Sequence, residues 1–306
     1  MFTLAHLSDP HLPMPPARAV ELLGKRATGY FNWWRNRVQL HRPEALAGIV
    51  ADIKAQRPDH IALTGDLVNI SLPDEFARAS RWLADLGTPD QVTVIPGNHD
   101  VYVAPLWREG LGLWGAYMAG DGQPPATDFA VFPTLRRRGP VALVGLNSGV
   151  PKPPFFATGT LGEAQIAAAG KLLAELGREG LCRVVMIHHP PLTTETHFKR
   201  LTDAAAFQAM IRRVGCEIVL HGHNHRSEVA RIAGPQGAIP VVGVTSASAA
   251  PGSKYGRARY HLIGIERGTA GWRIAVDIRA LRADGTGCEP DGRIVFTSGA
   301  PAALAA

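Results

Sequence analysis

"EIVLHGHNH", residues 217–225, is a short apolar run that ends in three histidines within five residues, His221, His223 and His225, with Gly222 between the first two. An apolar run of this length bounded by polar residues predicts a buried strand, with the histidines at its carboxyl end. A solvated loop has no use for imidazoles at such density, and a packed core accepts them only with hydrogen-bonding partners. The same texture recurs in "FTLAHLSD" (2–9), "HIALTGD" (60–66), "QVTVIPGNHD" (91–100) and "RVVMIHH" (183–189). Between these runs, apolar residues at three- and four-residue spacing predict helices over "PEALAGIVADIKAQ" (43–56), "DEFARASRWLADLG" (74–87) and "GEAQIAAAGKLLAELG" (162–177). Pro43, Gly87 and Gly177 punctuate them as starts and stops. Alternation of strand and helix predicts an α/β fold, a sheet with helices packed outside it. After residue 226 the pattern becomes strand and turn, and "IPVVGVTSAS", "RARYHLIGIER" and "GWRIAVDIRAL" predict an antiparallel β layer within a β-rich part, 227–298. No repeat, linker or break in composition divides the chain, so residues 1–306 are expected to form a single domain, with "GAPAALAA" (299–306) as a frayed end.

Ligands of such sheets bind beyond the carboxyl ends of the strands. The five endings deliver Asp9, His11, Asp66, Asn98, His99, His188, His223 and His225 to that rim. These oxygen and nitrogen donors suit Mn, Zn, Fe or Mg, and the lack of Cys among them argues against a structural thiolate zinc site. In an extended segment residues i and i+2 point to one side, so Asp9 with His11, and His223 with His225, are expected to converge in pairs. Gly97 and Gly222 let the backbone approach closely where a Cβ would obstruct. With His99 set aside, seven ligands remain, the number used by two divalent ions that share one bridging carboxylate and keep positions open for water and substrate.

In order along the chain, D9-x-H11, G65-D66, G97-N98-H99-D100, H188-x-P190 and G222-H223-x-H225 resemble the calcineurin-like metallophosphoesterase superfamily, most nearly its class III cyclic-nucleotide phosphodiesterases. The resemblance spans residues 9–225 in several separate blocks, and beyond them the chain matches only in being β-rich. It implies a four-layer α/β/β/α sandwich of mixed sheets flanked by helices. It also implies one ion on Asp9, His11 and His225, a second on Asn98, His188 and His223, and Asp66 bridging the two. His99 would ligate neither and would stand near the leaving-group oxygen. His189 and His221 are read as packed, hydrogen-bonded histidines, and Asp100 either as a carboxylate orienting a ligand imidazole or as a turn residue.

The implied reaction is phosphodiester hydrolysis. Two ions about 3.5–4 Å apart neutralise the anionic ester and bring a bridging water's pKa towards neutrality. The resulting hydroxide attacks phosphorus in line, and protonated His99 acts as general acid. A small phosphodiester such as a cyclic nucleotide is the first expectation for substrate.

The second expectation comes from residues 17–42, where six Lys/Arg stand against Glu21 alone, nearly the whole formal excess of +6, beside Tyr30, Phe31, Trp33 and Trp34. This basic aromatic insertion suits peripheral contact with an anionic membrane, or a lid over a lipid or nucleotide-sugar pyrophosphate of the UDP-diacylglucosamine type. Lipid A pyrophosphatases of the superfamily carry Arg where His99 stands, so the chain departs from them. The phosphoprotein phosphatase pattern GDxxDRG is absent, residues 65–71 reading "GDLVNIS". A metal-stabilised binding or scaffold protein is the non-enzymatic alternative, which loss of a ligand or of His99 would support. Nucleic acid is not expected as a partner, because the arginines of 17–42 and of "LRRRG" (135–139) accompany no recognition motif. A homodimer through Trp33, Trp34 or the late strands fits base rates. Three widely spaced cysteines, no apolar run of membrane-spanning length and an N-terminus without a basic leader lead to a cytoplasmic expectation, peripheral to the inner membrane face if segment 17–42 binds lipid.

Overall fold

The computed structural model describes residues 1–37, 39–104, 107–253, 256–269 and 271–298, so the expected frayed end at 299–306 lies outside the described residues. Twelve strands are described: β1 (Phe2–Leu7), β2 (His60–Leu63), β3 (Val92–Val94), β4 (Thr134–Arg138), β5 (Val141–Gly145), β6 (Cys182–Met186), β7 (Ile218–His221), β8 (Glu228–Gly234), β9 (Gly237–Gly243), β10 (Arg259–Gly268), β11 (Gly271–Leu281) and β12 (Cys288–Thr297). The helices are α1 (Lys25–Asn32), α2 (Pro43–Gln56), α3 (Pro73–Leu86), the single turn α4 (Gly115–Met118), α5 (Glu163–Arg178) and α6 (Ala204–Val214).

The strands form two mixed six-stranded sheets, in the orders β12-β11-β10-β1-β2-β3 and β4-β5-β6-β7-β9-β8. In the first, β1, β2 and β3 run parallel, with Leu7 opposite Leu63 and Leu63 opposite Val94. In the second, β5, β6, β7 and β9 run parallel. Parallel strands are covered on both faces, which is why β2 and β5 are buried along their whole length, β5 as an unbroken apolar run and β2 apolar after His60. One apolar cluster joins Leu4, Leu63 and Ile263 of the first sheet to Val184, Ile218 and Leu220 of the second, and takes in Ile49 and Ile53 of α2 and Phe76 and Leu83 of α3. A second cluster packs Leu173 and Leu176 of α5 and Phe207 and Ile211 of α6 on Val185 and Val219. Two mixed sheets flanked by helices make the α/β/β/α sandwich.

The structure differs from the reading of the sequence at three places. The late strands do not form a layer of their own: β10 adds antiparallel to β1 and carries β11 and β12, while β8 and β9 extend the second sheet beside β7. The region 134–145, where only "LRRRG" drew notice, is the β4–β5 hairpin. Its arginines are engaged within the chain: buried Arg136 donates to the carbonyls of Ala119, Ala116 and Val92, Arg137 pairs with Glu179, and Arg138 pairs with Asp121. Helices α1 and α6 form where the sequence pattern predicts none. Cys182, Cys216 and Cys288 are free thiols, all buried.

Candidate metal centre

The parallel strands β1, β2, β3, β6 and β7 end at one rim, where the expected donors meet. Asp9, His11, Asp66, Asn98, His188, His223 and His225 are all buried, Asn98 and His225 being the most open at 9%. Around Asp66, His188 Nε2 lies 3.3 Å and His11 Nε2 3.9 Å from Oδ2. On one side His225 Nε2 stands 3.2 Å from Asp9 Oδ1 and 3.4 Å from His11 Nε2. On the other, Asn98 Oδ1 faces His188 Nε2 at 3.2 Å and His223 Nδ1 at 2.9 Å. The two groups implied by the resemblance are thus two neighbouring clusters with Asp66 between them.

They do not converge by strand pleating. Asp9, His11, Asp66, His223 and His225 have φ of 52°, 37°, 59°, 68° and 54°, the left-handed region that non-glycine residues seldom adopt. Each costs on the order of 1–3 kcal/mol, offset by the packing that imposes it. The pairs expected to point together because they are extended therefore do so through left-handed turns. The glycines supply room: a Cβ on Gly97 would lie 2.2 Å from Asp66 Oδ1, and one on Gly222 would lie 1.9 Å from Ser8 Oγ and 2.4 Å from Asp9 Oδ2.

The outer hydrogen bonds fix which nitrogen of each ring faces inward. A carbonyl only accepts, so His11 Nδ1–H donates to Val68 O (3.2 Å), His188 Nδ1–H to Thr64 O (2.6 Å) and His223 Nε2–H to Lys199 O (3.0 Å). The inward nitrogens of the neutral rings then carry lone pairs, and they face carboxylate or amide oxygens, which are acceptors too. Asp9 Oδ1 is buried and makes no hydrogen bond among the described residues, with His225 Nε2 facing it at 3.2 Å. Acceptors crowded on acceptors need positive charge between them, a proton or a cation, and the nitrogen and oxygen donors gathered here fit divalent metal ions. The electrostatics agree. Burial works against ionisation of Asp66, but the imidazoles of His188, His99 and His11 outweigh it and hold the carboxyl well below its usual range. Burial likewise opposes a charge on His188, yet the Asp66 carboxylate raises its pKa to about 9. This is a site that holds positive charge.

His99 borders these clusters, its ring edge-on to that of His11 with centroids 5.0 Å apart. Its backbone N–H donates to Asp66 Oδ1 (2.8 Å) and its Nδ1–H to Asn69 O (2.5 Å), and its ring stacks on Tyr102 at 5.9 Å. Asp100 orients no imidazole. Its carboxylate accepts from the backbone N–H groups of Asp66, Leu67, Val68 and Gly97, tying the loops after β2 and β3 together. Burial, and next the charge of Asp66, push its pKa up to about 7. His189 is buried with both ring nitrogens engaged, on Ser148 Oγ and Ala157 O, whereas buried His221 engages only Nδ1, on Gly222 O, and its Nε2 has no hydrogen-bond partner among the described residues.

A cleft of about 940 Å³ opens from Asn98 and His99, lined by α1 and the loop 150–157. Helix α1 is docked there by Lys25, which donates to Tyr102 O, and by Arg26, which donates to Ile70 O and Ser71 O. Burial lowers the Lys25 pKa to about 8. Segment 17–42, expected as a lid, supplies one wall of this cleft, whereas nothing in the sequence singled out His41, whose ring lies 4.5 Å from that of His11. The wall residues belong to no motif; the charge and aromatics of 17–42 and the Pro/Gly-rich texture of 149–160 are their signals in the sequence.

Fold and site together define an α/β/β/α sandwich whose buried donors, gathered at one rim, suit a pair of divalent metal ions. The family model for calcineurin-like phosphoesterases matches residues 2–227, and the chain belongs to that family. A probable cyclic nucleotide phosphodiesterase from Rhodococcus erythropolis strain PR4 is 27% identical over 203 residues, which are 65% of this chain and 60% of the relative. Among solved structures, a dimetal phosphatase from Danio rerio superposes with a TM-score of 0.59 at 12% identity over 97% of this chain and 98% of the other. A purple acid phosphatase from yellow lupin seeds gives 0.60 at 12% identity over 97% of this chain and 53% of its own. At such identities these two likenesses speak for the fold alone. No helix among the described residues is long and apolar enough to cross a membrane.

Proposed function

We propose that the protein is a dinuclear-metal phosphodiesterase in which His99 is the general acid. One observation carries this reading: donors from five strand ends surround Asp66, while His99 stands beside that carboxylate at the mouth of the cleft. Asp9, His11 and His225 would hold one ion, Asn98, His188 and His223 the other, and Asp66 both. When bound, the ions supply Lewis acidity that neutralises the phosphate and acidifies the attacking water. The nitrogen and oxygen donors suit Mn, Fe or Zn. His99 keeps Nδ1–H on Asn69 O, so its other nitrogen is the one able to give a proton to the departing alkoxide, an effect on the order of 10²–10⁴-fold. The likeness to a probable cyclic nucleotide phosphodiesterase supports a small phosphodiester, with a cyclic nucleotide as first candidate.

A second reading is favoured by the cleft, which is larger than a cyclic nucleotide needs and combines Lys25, Arg35 and Lys152 with Phe31, Phe155 and Phe156. Phe155 is 87% and Phe31 57% exposed. Such a wall suits a lipid-linked phosphodiester or a nucleotide-sugar pyrophosphate, with segment 17–42 as lid and an anionic membrane as peripheral partner. Both readings place the protein in the cytoplasm, the second at the inner membrane face. The deciding experiment is a panel on protein of measured metal content: bis-p-nitrophenyl phosphate, p-nitrophenyl phosphate, 2′,3′- and 3′,5′-cyclic nucleotides, and UDP-diacylglucosamine with detergent. Turnover of the diesters well above the monoester is expected. A monoester preference overturns the diesterase reading, and turnover confined to the lipid substrate selects the second.

A further inference from the structure

His41 belongs to none of the blocks that identify the family, yet it is built into the centre. Its backbone is pinned across the rim: Arg42 N donates to Ser248 O (2.8 Å), Ala250 N donates to Leu40 O (2.8 Å), and His41 bridges Ala249 antiparallel. One ring nitrogen from each of His11, His41 and His225 falls within a group whose members are all within 4.8 Å of one another. The His41 ring lies 4.5 Å from His11 and 5.7 Å from His225.

The tautomer of His41 follows from a chain of hydrogen bonds with one possible direction. Ser246 Oγ–H must donate to Asp9 O (2.6 Å), because a carbonyl cannot donate. Ser246 Oγ, 3.2 Å from Ser248 Oγ, then accepts from it. Ser248 Oγ in turn accepts from His41 Nδ1–H at 2.8 Å. His41 thus places its ring proton on an outer acceptor, as His11, His188 and His223 do, the arrangement that orients an imidazole for ligation. The chain ends on the backbone of Asp9, a residue of the same cluster.

We propose that His41 is a protein ligand of the ion held by Asp9, His11 and His225, so that segment 17–42 completes the metal centre as well as walling the cleft. The inference rests on the two-ion reading above. With Asp66, that ion would have five protein donors, three of them imidazoles. Three imidazoles favour Zn, Fe or Co over Mg, whose preferred ligands are carboxylates and water. The two ions would then differ in retention, the His41 side holding its metal more tightly.

The test uses the full chain, stripped and reloaded with Co²⁺, with ions counted by elemental analysis and affinity measured by chelator competition. Proton NMR of the cobalt-loaded protein, ¹⁵N-labelled at histidine, shows hyperfine-shifted exchangeable N–H signals only from ligating imidazoles. The wild type is expected to show the His41 N–H among them. His41→Ala is expected to lose that signal and to weaken one of the two ions by on the order of 10²-fold. Unchanged affinity together with an unchanged set of shifted signals overturns the inference while leaving the two-ion reading intact. Wild-type protein that binds fewer than two ions overturns that reading, and the inference with it. Should His41→Ala fail to fold, the wild-type spectrum alone decides, by whether the His41 N–H is hyperfine-shifted.

Discussion

The proton that His99 would deliver is separable from the ions that its neighbours would hold. The hydrogen bond from His99 to the centre is its backbone N–H on Asp66, which an alanine keeps, and its ring packs edge-on at 5.0 Å against that of His11. His99→Ala is therefore expected to retain metal and to lose about 10²–10⁴-fold in kcat on a diester with an alkoxide leaving group. The loss should be much smaller with p-nitrophenolate, which needs no proton to leave. Equal loss on both esters, or loss of metal, would contradict the role. Gly222 makes the opposite case. A Cβ there would sit 2.4 Å from Asp9 Oδ2, so Gly222→Ala is expected to displace the Asp9 carboxylate and cost about 1–3 kcal/mol of stability through overpacking. Metal content should fall to about one ion per chain, measured by elemental analysis beside a thermal melt.

At the scale of elements, the loops after β2 and β3 are one device tied by Asp100. Four backbone N–H groups converge on its two oxygens, so Asp100→Asn would turn an amide N–H₂ towards donors. Thermal and denaturant unfolding are expected to show a loss of about 3 kcal/mol, with weaker metal retention, because buried charge-assisted bonds are broken. None of this was legible in the sequence, where Asp100 was as easily a turn residue. What was legible is the placement of donors: "GNHD" and "HGHNH" follow β-rich runs, and α2 begins and ends at Pro43 and Gln56 as its periodicity predicts. The left-handed φ of Asp9, His11, Asp66, His223 and His225 was hidden, because such conformations are imposed by packing and leave no mark on composition. The order of the strands was hidden for a similar reason. Nothing local tells β10 that its partner is β1, more than two hundred residues earlier. Helix α1 and His41 were obscured because a basic aromatic stretch looks alike whether it faces solvent, lipid or a neighbouring loop.

Across the whole molecule, each sheet supplies half of the centre, so the site exists only while the sandwich is closed. That closure buries neutral histidines away from the metal centre. His60 and His261 are at most 1% exposed, and the pKa of each is lowered to about 3, by burial first and then by Arg138 and Arg259 respectively. Between about 3 and 6.5 the unfolded chain binds protons at these positions and the folded chain does not. Stability is therefore fully present above pH 6.5 and falls as the pH drops, by about 1.4 kcal/mol per unit for each histidine. His188 works in the opposite sense, its raised pKa giving stability that is complete below 6.5 and lost as the pH rises through about 9, so it does not mask the acid limb. At pH 5 the two buried histidines together remove roughly 4 kcal/mol. Metal-free protein is expected to melt at progressively lower temperature from pH 6.5 to pH 5. His261→Leu, which replaces a buried imidazole with both ring nitrogens unpartnered, should reduce the slope by about 1.4 kcal/mol per unit. Denaturant titrations at pH 5, 6 and 7.5 measure that slope directly, and identical slopes for the variant and the wild type would mean that the sandwich admits a proton, and water with it, at His261.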